Sequence, residues 1–160
     1  MALKTEFIQR MIAEEGPTVY RLAMANTRNP ADADDVYQEV FLRFLKNEPA
    51  FQNGDHQRAW FIRVTVNCCK DLFKRAYRND LPLDEAKNAM QVSEDYSELA
   101  EALDRLEPTQ RTLIHLYYYE GYKTEEIAAF MNMKPATVRS GLDRAREKIK
   151  KQMEGGTVRV

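Results

Sequence analysis

The stretch GYKTEEIAAFMNMKPATVRSGLDRAREKIKK, residues 121–151, predicts two short helices that meet at a tight turn. The first helix is expected from about Thr124 to Met131. Pro135 is expected to open the second helix, because proline suits the first helical position. Asn132 is expected in the left-handed backbone conformation at the turn, where glycine is more common. Such a pair is the outline of a helix-turn-helix that binds duplex DNA.

The last helix has two chemically distinct sides. Its inward side is formed by apolar residues at helical spacing, namely Val138, Leu142, Ala145 and Ile149. The opposite side carries Ala136, Ser140, Asp143 and Glu147, flanked by Arg139, Arg144, Lys150 and Lys151. Small side chains allow a close approach to base edges, and the cations beside them can hold phosphates.

Charge is distributed unevenly along the 160 residues, although the formal net charge is only −1. Residues 55–79 contain six basic and two acidic residues, and residues 134–151 contain seven and two. Between them, residues 80–107 contain nine acidic and two basic residues. Because electrostatic contacts act within a Debye length of about 8 to 10 Å, these local charges govern binding to phosphates. The pattern indicates two positive modules separated by a negative tether.

The composition favours a soluble, cytoplasmic protein without a cofactor. A hydrophobic fraction of 44% suffices for a core without disulfides, and the chain contains no apolar run or leader that predicts membrane insertion or export. Cys68 and Cys69 are adjacent and diverge by about 100° on a helix, so buried thiols are expected rather than a metal site or a local disulfide. An enzyme is not expected, because metal-ligand spacing, a phosphate-binding glycine loop and an activated nucleophile are all missing from the sequence.

The first half of the chain predicts helices separated by short breaks. Residues 7–12 begin a helix that Gly16 and Pro17 are expected to end, and a second short helix follows. A third helix, capped by Asn29, is expected from Pro30 to about Asn47. Its exposed side carries Asp35, Gln38, Glu39, Leu42 and Lys46. This face fits either docking on another protein or simple solvation.

A loop is expected over residues 51–58, because this segment contains Gly54 and has no helical period. The fourth helix is expected from about Ala59 to Arg78. Its exposed side carries Arg63, Asn67, Lys70 and Lys74, with Trp60 and Tyr77 nearby as stacking partners. This face fits contact with nucleic acid or, again, simple solvation.

The remaining pattern predicts a linker and a second helical module. Pro82 and the lack of an apolar period indicate a linker over residues 80–94. Helical spacing then resumes at Tyr96, Leu99, Leu103 and Leu106, and a further helix follows Pro108, buries Leu113, Ile114, Leu116, Tyr117 and Tyr118, and ends at Gly121. The sequence thus predicts an all-α protein with two small helical domains, residues 1–79 and 95–154, joined by a flexible acidic linker and followed by a frayed tail at 155–160.

Three segments in order resemble the sigma-70 family of bacterial RNA polymerase initiation factors, specifically its extracytoplasmic-function (group IV) type. YRLAMANTRNPADADDVYQEVFLRFLKN, residues 20–47, is similar to regions 2.1 and 2.2. FQNGDHQRAWFIRVTVNCCKDLFKRAYRN, residues 51–79, is similar to regions 2.3 and 2.4. LEPTQRTLIHLYYYEGYKTEEIAAFMNMKPATVRSGLDRAREKI, residues 106–149, is similar to region 4. Three matches in order around an acidic linker are far more specific than an isolated helix-turn-helix.

The resemblance implies a partner for each exposed face. Docking on the β′ clamp coiled coil of core RNA polymerase is implied for Asp35, Gln38, Glu39 and Leu42, within a complex that also includes the β subunit. Contact with the melted −10 element, including capture of an extruded base in the loop, is implied for Asn53, Asp55, His56, Arg63, Asn67, Lys70 and Lys74. Contact with the −35 element is implied for Lys123, Lys134, Ala136, Thr137, Arg139, Ser140, Asp143 and Arg144.

The resemblance also implies control by an anti-sigma factor, and a linker that threads towards the RNA exit path.

Three residues depart from the family pattern. Lys123 and Lys134 stand where a capping Ser is common, and a lysine side chain accepts no hydrogen bond. We expect Thr124 to substitute partly as the first cap and both lysines to reach DNA phosphates. Gly141 stands where the family often has Arg, which removes a phosphate contact and lowers helix propensity by ~1 kcal/mol relative to Ala.

Two rival functions remain open on the residues alone. A free-standing helix-turn-helix regulator would leave the face at residues 35–46 and the basic helix before the linker unexplained. An all-helical protein adaptor would leave the segmental charges unexplained.

Overall fold

The computed structural model describes the backbone of residues 2–78 and 97–158 and the side chains of residues 4–77 and 97–154. The helices before the gap are α1 (Ala2–Thr27), α2 (Pro30–Asn47) and α3 (Gly54–Arg78). The helices after it are α4 (Glu98–Asp104), α5 (Pro108–Ile114), a short π-helix (His115–Tyr119), α6 (Thr124–Met131) and α7 (Pro135–Val158). They form two compact units, Met1–Leu83 and Asp84–Val160. The expected all-α class with two helical units is confirmed, while the predicted linker at 80–94 lies outside the described residues.

α1 is one continuous helix, so the expected break at Gly16 and Pro17 is wrong. Met11 and Val19, on either side of the proline, are fully buried in one core with residues of α2 and α3. This shared packing outweighs the roughly 3 kcal/mol by which an interior proline disfavours a helix. Gly16 lies against α2, since a Cβ built on it would stand 2.9 Å from the hydroxyl oxygen of Tyr37.

α2 begins and ends where the sequence predicts. The Oδ1 atom of Asn29 accepts a hydrogen bond from the N–H of Asp32 at 3.0 Å, and Pro30 is the first helical residue. The buried side of α2 consists of Ala33, Val36, Val40, Phe41 and Phe44. Tyr37, whose hydroxyl lies beside Gly16, is half-buried.

Aromatic rings fill the centre of the first unit. The ring centroid of Phe61 lies 5.4 Å from those of Phe41 and Phe44 and 4.9 Å from that of Trp60. Phe51 completes the cluster at 5.9 Å from Trp60. These rings join α2 to the start of α3 and so position the surfaces on both helices.

The second unit packs α5, α6 and α7 together. Its buried apolar residues are Ala102, Leu106, Leu113, Leu116, Ile127, Ala128, Phe130, Met131, Val138, Leu142 and Ala145. Tyr117 and Tyr118 were expected to add to this core but are exposed, because the π-helix in which they lie turns Leu116 inward and its tyrosines towards solvent. Gly121, with φ +79°, ends this segment as predicted.

The helix-turn-helix has the predicted boundaries. Asn132 adopts φ 55° and ψ 50°, the left-handed conformation expected at the turn, and its N–H donates to the carbonyl of Ala128. Pro135 opens α7, whose inward side is Val138, Leu142 and Ala145, with Ile149 half-buried. α7 continues to Val158, into the segment 155–160 that was expected to be a tail.

Candidate nucleic-acid interface and docking face

The expected docking face lies on α2, opposite the aromatic core. Asp35 and Gln38 are exposed, and Leu42 is 58% exposed. Glu39 is half-buried, and its Oε1 atom accepts a hydrogen bond from Nε of Arg43 at 3.1 Å. The four predicted residues therefore share one accessible face, in which an apolar side chain is surrounded by polar groups. Association sites often have this composition.

Arg43 connects this face to α3. Its Nη2 atom donates to Oδ2 of Asp71 at 2.9 Å, and this hydrogen bond is the main reason that the pKa of Arg43 is raised above its ordinary value. A groove of about 300 Å³ lies alongside, lined by residues of both helices. The ion pair is partly exposed, so it contributes at most ~1 kcal/mol and adds little to the aromatic packing that holds the two helices together.

The basic face of α3 is arranged as predicted. Arg63, Asn67, Lys70 and Lys74 are all exposed along one side of the helix. Tyr77, which is 78% exposed, extends this side. The face therefore offers cations and an amide to a phosphate backbone, with an aromatic ring available for stacking on a base.

Two aromatic residues near this face differ from expectation. Trp60 is half-buried and packs edge-on against Phe44 and Phe61, so only part of its ring is accessible, and its stacking on nucleic acid stays a prediction. Phe73 was not singled out, yet it is 48% exposed between Lys70 and Tyr77 on the helix surface. In the sequence, its helical spacing from Lys70 and Tyr77 indicates a place on the same side of α3.

The expected loop at residues 51–58 is shorter than predicted, because α3 already begins at Gly54. Asn53 caps the helix: its Oδ1 atom accepts a hydrogen bond from the N–H of His56 at 2.8 Å. The Nδ1 atom of His56 accepts from the N–H of Gln52 at 3.1 Å, and its ring lies edge-on to Phe51. Asp55 is exposed in the first turn of α3, where the helix dipole favours a negative charge.

We call residues 52–56 the capped turn. All five are exposed, and the predicted site residues Asn53, Asp55 and His56 belong to it. The side chains of Asn53 and His56 hold the turn itself through the two hydrogen bonds above. The sequence lacked a helical period here because a polar first turn buries little apolar surface, and the cap provides the start instead.

In the second unit, every predicted contact residue is exposed. These residues are Lys123, Lys134, Ala136, Thr137, Arg139, Ser140, Asp143 and Arg144. The pKa of Glu125 is lowered by a hydrogen bond from its own backbone N–H, then by the Thr124 hydroxyl, and more weakly by the charges of Arg139 and Lys123. The start of α6 therefore lies within electrostatic reach of Arg139 on α7.

The expected capping role of Thr124 is wrong. Thr124 is the first residue of α6, and its hydroxyl donates to Oε2 of Glu125 at 3.2 Å. The residue at the cap position is Lys123, whose N–H donates to Oε1 of Glu126 at 3.0 Å. Glu126 thus makes one of the two hydrogen bonds of a capping box. The second is missing, because the lysine side chain at the cap position has no acceptor for a backbone N–H.

Asp143 is engaged in a small network. Nη2 of Arg146 donates to Oδ1 of Asp143 at 2.6 Å, while Nη1 donates to the hydroxyl of Tyr118 at 2.7 Å. The sequence predicted no binding role for Arg146 and placed Tyr118 in the core. The spacing of Arg146 from Asp143 was visible, but the contact with the π-helix arises only from the packing of the unit.

Gly141 faces the interior of its unit. A Cβ built on this residue would stand 2.5 Å from Cδ1 of Leu113, which is only 2% exposed. Position 141 therefore lies at the contact between α7 and α5, and the loss of a phosphate contact there stays a prediction.

Within residues 2–78 and 97–158, no group of three or more His, Cys, Asp or Glu residues is arranged to hold a metal ion. In the same part of the chain, no helix combines the length and apolar character needed to cross a membrane.

Known proteins resemble this chain over both units. Residues 11–79 match the family model of sigma-70 region 2, and residues 96–149 match that of sigma-70 region 4. The chain is 33% identical over 152 residues to "ECF RNA polymerase sigma factor SigE" of Mycolicibacterium smegmatis, an alignment that covers 88% of this chain and 59% of that protein. It is 29% identical over 146 residues to "RNA polymerase sigma factor SigV" of Bacillus subtilis, covering 89% of this chain and 88% of that protein.

A solved structure supports the fold. The sigma factor RpoE of Bartonella quintana, determined in complex with the anti-sigma factor NepR, superimposes with a TM-score of 0.70. The alignment covers 91% of this chain and 96% of that chain at 18% sequence identity.

Proposed function

The chain belongs to the sigma-70 family, and on that premise we propose that it is an extracytoplasmic-function sigma factor. In this role it binds core RNA polymerase and directs initiation at promoters that carry defined −10 and −35 elements. The observation that carries the proposal is the match of sigma-70 regions 2 and 4 to two separate helical units, each with an exposed basic helix. Residues 1–79 and 95–154 form the two functional domains of this proposal, with 80–94 as linker and 155–160 as tail.

The proposed contact with the β′ clamp of core polymerase is the α2 face. Leu42 is the apolar centre of this face, and Asp35, Gln38 and Glu39 form its polar surroundings. Burying an exposed leucine at an interface removes apolar surface from water, which favours association, and apolar side chains within a polar rim are common at such sites. The core of the enzyme, including its β subunit, is the proposed partner.

The proposed contact with the −10 element combines two adjoining surfaces. Cations on α3 neutralise the phosphates of the opened strand, and the capped turn receives an extruded base. The residues of this surface are Asn53, Asp55, His56, Arg63, Asn67, Lys70 and Lys74. Unstacking a base requires a few kcal/mol, which favours opening at weak steps.

The proposed contact with the −35 element is the exposed side of α7 and the start of α6. Ala136, Thr137 and Ser140 permit a close approach to base edges in the major groove, and the neighbouring cations hold the backbone. An acidic residue on this side, Asp143, can accept a hydrogen bond from a cytosine amino group. The contact residues are Lys123, Lys134, Ala136, Thr137, Arg139, Ser140, Asp143 and Arg144.

We further infer that the protein acts in the cytoplasm with polymerase, is not itself an enzyme, and is controlled by an anti-sigma factor. The description of the Bartonella quintana sigma factor as a complex with an anti-sigma factor supports the last inference, since the two chains share a fold. Such a partner would have to cover the α2 face or the basic faces to prevent initiation.

Run-off transcription with purified core polymerase tests the proposal. Addition of this protein is expected to produce a transcript of defined length from a promoter selected by the holoenzyme, and the protein alone should bind the same DNA weakly. Failure to bind core polymerase refutes the proposal. Tight, specific binding of the protein alone to DNA would instead identify a free-standing regulator.

A further inference from the structure

Glu15 is a buried carboxylate on α1 that faces the first turns of α3. The residue is 2% exposed, its Oε2 atom accepts a hydrogen bond from Nε2 of Gln57 at 2.7 Å, and its Oε1 atom forms a salt bridge with Nε of Arg58. Nε2 of Gln57 also lies 2.9 Å from Oε2 of Glu14. Gln57 and Arg58 directly follow the capped turn in the chain. α1 therefore holds α3 immediately after that turn.

The other end of the capped turn is held as well. Phe51, the residue before it, lies in the aromatic cluster with ring centroids 5.9 Å from Trp60 and 6.1 Å from Phe61. Within the turn, Asn53 and His56 each accept a backbone hydrogen bond. The capped turn is thus held at both ends. Phe51 before it packs in the aromatic cluster, and Gln57 and Arg58 after it bond to Glu15.

A buried carboxylate adds little net stability to the packing of two helices. Its desolvation often cancels the gain from pairing, and an apolar pair of similar size is commonly as stable. What an ionic contact with two directional hydrogen bonds provides is a defined orientation of the partner side chains. Gln57 and Arg58 share one helical turn with His56. Holding their side chains therefore sets the rotation of the first turn of α3 about the helix axis.

We propose that Glu15 is a positioning residue for base capture: through Gln57 and Arg58 it sets the orientation of the capped turn and thereby the discrimination between bases in the −10 element. This inference rests on the proposed function of the capped turn. Glu15 itself is too deeply buried to touch DNA, so its effect passes through the backbone of α3.

The experiment uses holoenzyme assembled with wild-type or variant protein. The key variant is Glu15→Gln, which keeps the shape and an acceptor for Gln57 but removes the charge that pairs with Arg58. The matched control is Glu48→Gln, because Glu48 also pairs with a cation on another helix, but with Lys4 of α1 instead of Arg58 of α3. Open-complex formation is measured on a promoter selected by wild-type holoenzyme from a library randomised at −10, and on its single-base −10 variants.

Glu15→Gln is expected to lower the ratio between preferred and substituted −10 bases roughly tenfold, because small displacements of a positioned group have large effects. Affinity for core polymerase should stay unchanged, and Glu48→Gln should keep the wild-type ratio. An unchanged ratio in folded Glu15→Gln overturns the proposal. Equal losses on all promoters together with weaker core binding also overturn it, since they indicate a merely structural role.

Arg58→Lys serves as a second variant if Glu15→Gln does not fold at the assay temperature. It keeps the charge but not the planar geometry of the contact, so it should lower the same ratio while the control does not. An unchanged ratio in folded Arg58→Lys counts against the proposal in the same way. Wild-type holoenzyme that shows no −10 preference refutes the proposed function itself, a result that is separate from any effect of residue 15.

Discussion

Gly141 and Leu113 lie in direct contact where α7 packs on α5: a Cβ built on residue 141 would stand 2.5 Å from Cδ1 of Leu113. Leu113 is 2% exposed, so its side chain has little room to move away. Glycine within a helix is unfavourable by ~1 kcal/mol relative to alanine. Because Gly141 has no side chain, α7, which carries the proposed −35 contacts, can lie close to α5.

Gly141→Ala is therefore expected to destabilise the protein. Overpacking a core typically costs about 1–3 kcal/mol, which exceeds the gain in helix propensity, so the net loss should be roughly 1 kcal/mol. Urea unfolding measures it. Ser140→Ala, one residue away on the exposed side, should change stability by less than about 0.5 kcal/mol. A Gly141→Ala variant more stable than wild type would show that Leu113 yields easily.

Lys123→Ser and Lys134→Ser are each expected to reduce the salt dependence of promoter binding by the holoenzyme. Removing one phosphate contact should lower the slope of log K against log salt by about 0.9. Serine at a helix cap should at the same time stabilise the unit by ~1 kcal/mol, so weaker binding cannot be ascribed to unfolding. Lys148→Ser is the control, because the Nζ atom of Lys148 donates a hydrogen bond to Gln110 on another side of α7. The salt slope of this variant should match that of wild type. Unchanged slopes for both test variants would contradict the phosphate contacts.

Leu42→Ala is expected to weaken binding to core polymerase about tenfold, which corresponds to ~1.4 kcal/mol. Its stability should be close to that of wild type, because Leu42 is 58% exposed in the free protein. Leu45→Ala provides a matched control on the same helix, since Leu45 is 43% exposed but lies towards Phe7 and Pro49. Competition with a labelled sigma factor for core enzyme measures both affinities. Equal losses for the two variants would place the docking face elsewhere on α2.

Cys68 and Cys69 are expected to react slowly with thiol reagents in the folded protein at pH 8. Burial raises the pKa of Cys68 to about 11 and also raises that of Cys69, so both remain protonated thiols. Denaturant should release both for rapid labelling with a disulfide reagent such as DTNB. Rapid labelling of the native protein would contradict the buried positions.

The same shifts predict a loss of stability at high pH. Above about pH 9 the unfolded thiols lose protons while the folded ones do not, so the free energy of unfolding falls as pH rises towards 11. Urea unfolding at intervals from pH 8.5 to 10.5 should show a steeper decline for wild type than for a variant with both cysteines replaced by alanine. Parallel curves would show that the thiols do not contribute.

The sequence by itself determined the features that depend on a few neighbouring residues. The cap at Asn29 before Pro30, the left-handed turn at Asn132 and the stop at Gly121 were all predictable, because each follows from the backbone preferences of one or two residues. The exposed faces of α2, α3 and α7 were predictable for a similar reason, since helical periodicity assigns each residue to a side.

Only the tertiary structure decided features that depend on residues far apart in the chain. α1 continues through Pro17 because both of its halves pack in one core, and Trp60 is drawn into that core by Phe44 and Phe61. Glu15 meets Gln57 and Arg58 across more than forty residues, a contact that no local pattern encodes. Gly141 faces Leu113 for the same reason. Local preferences amount to a kcal/mol or so per residue, and packing between helices is strong enough to override them.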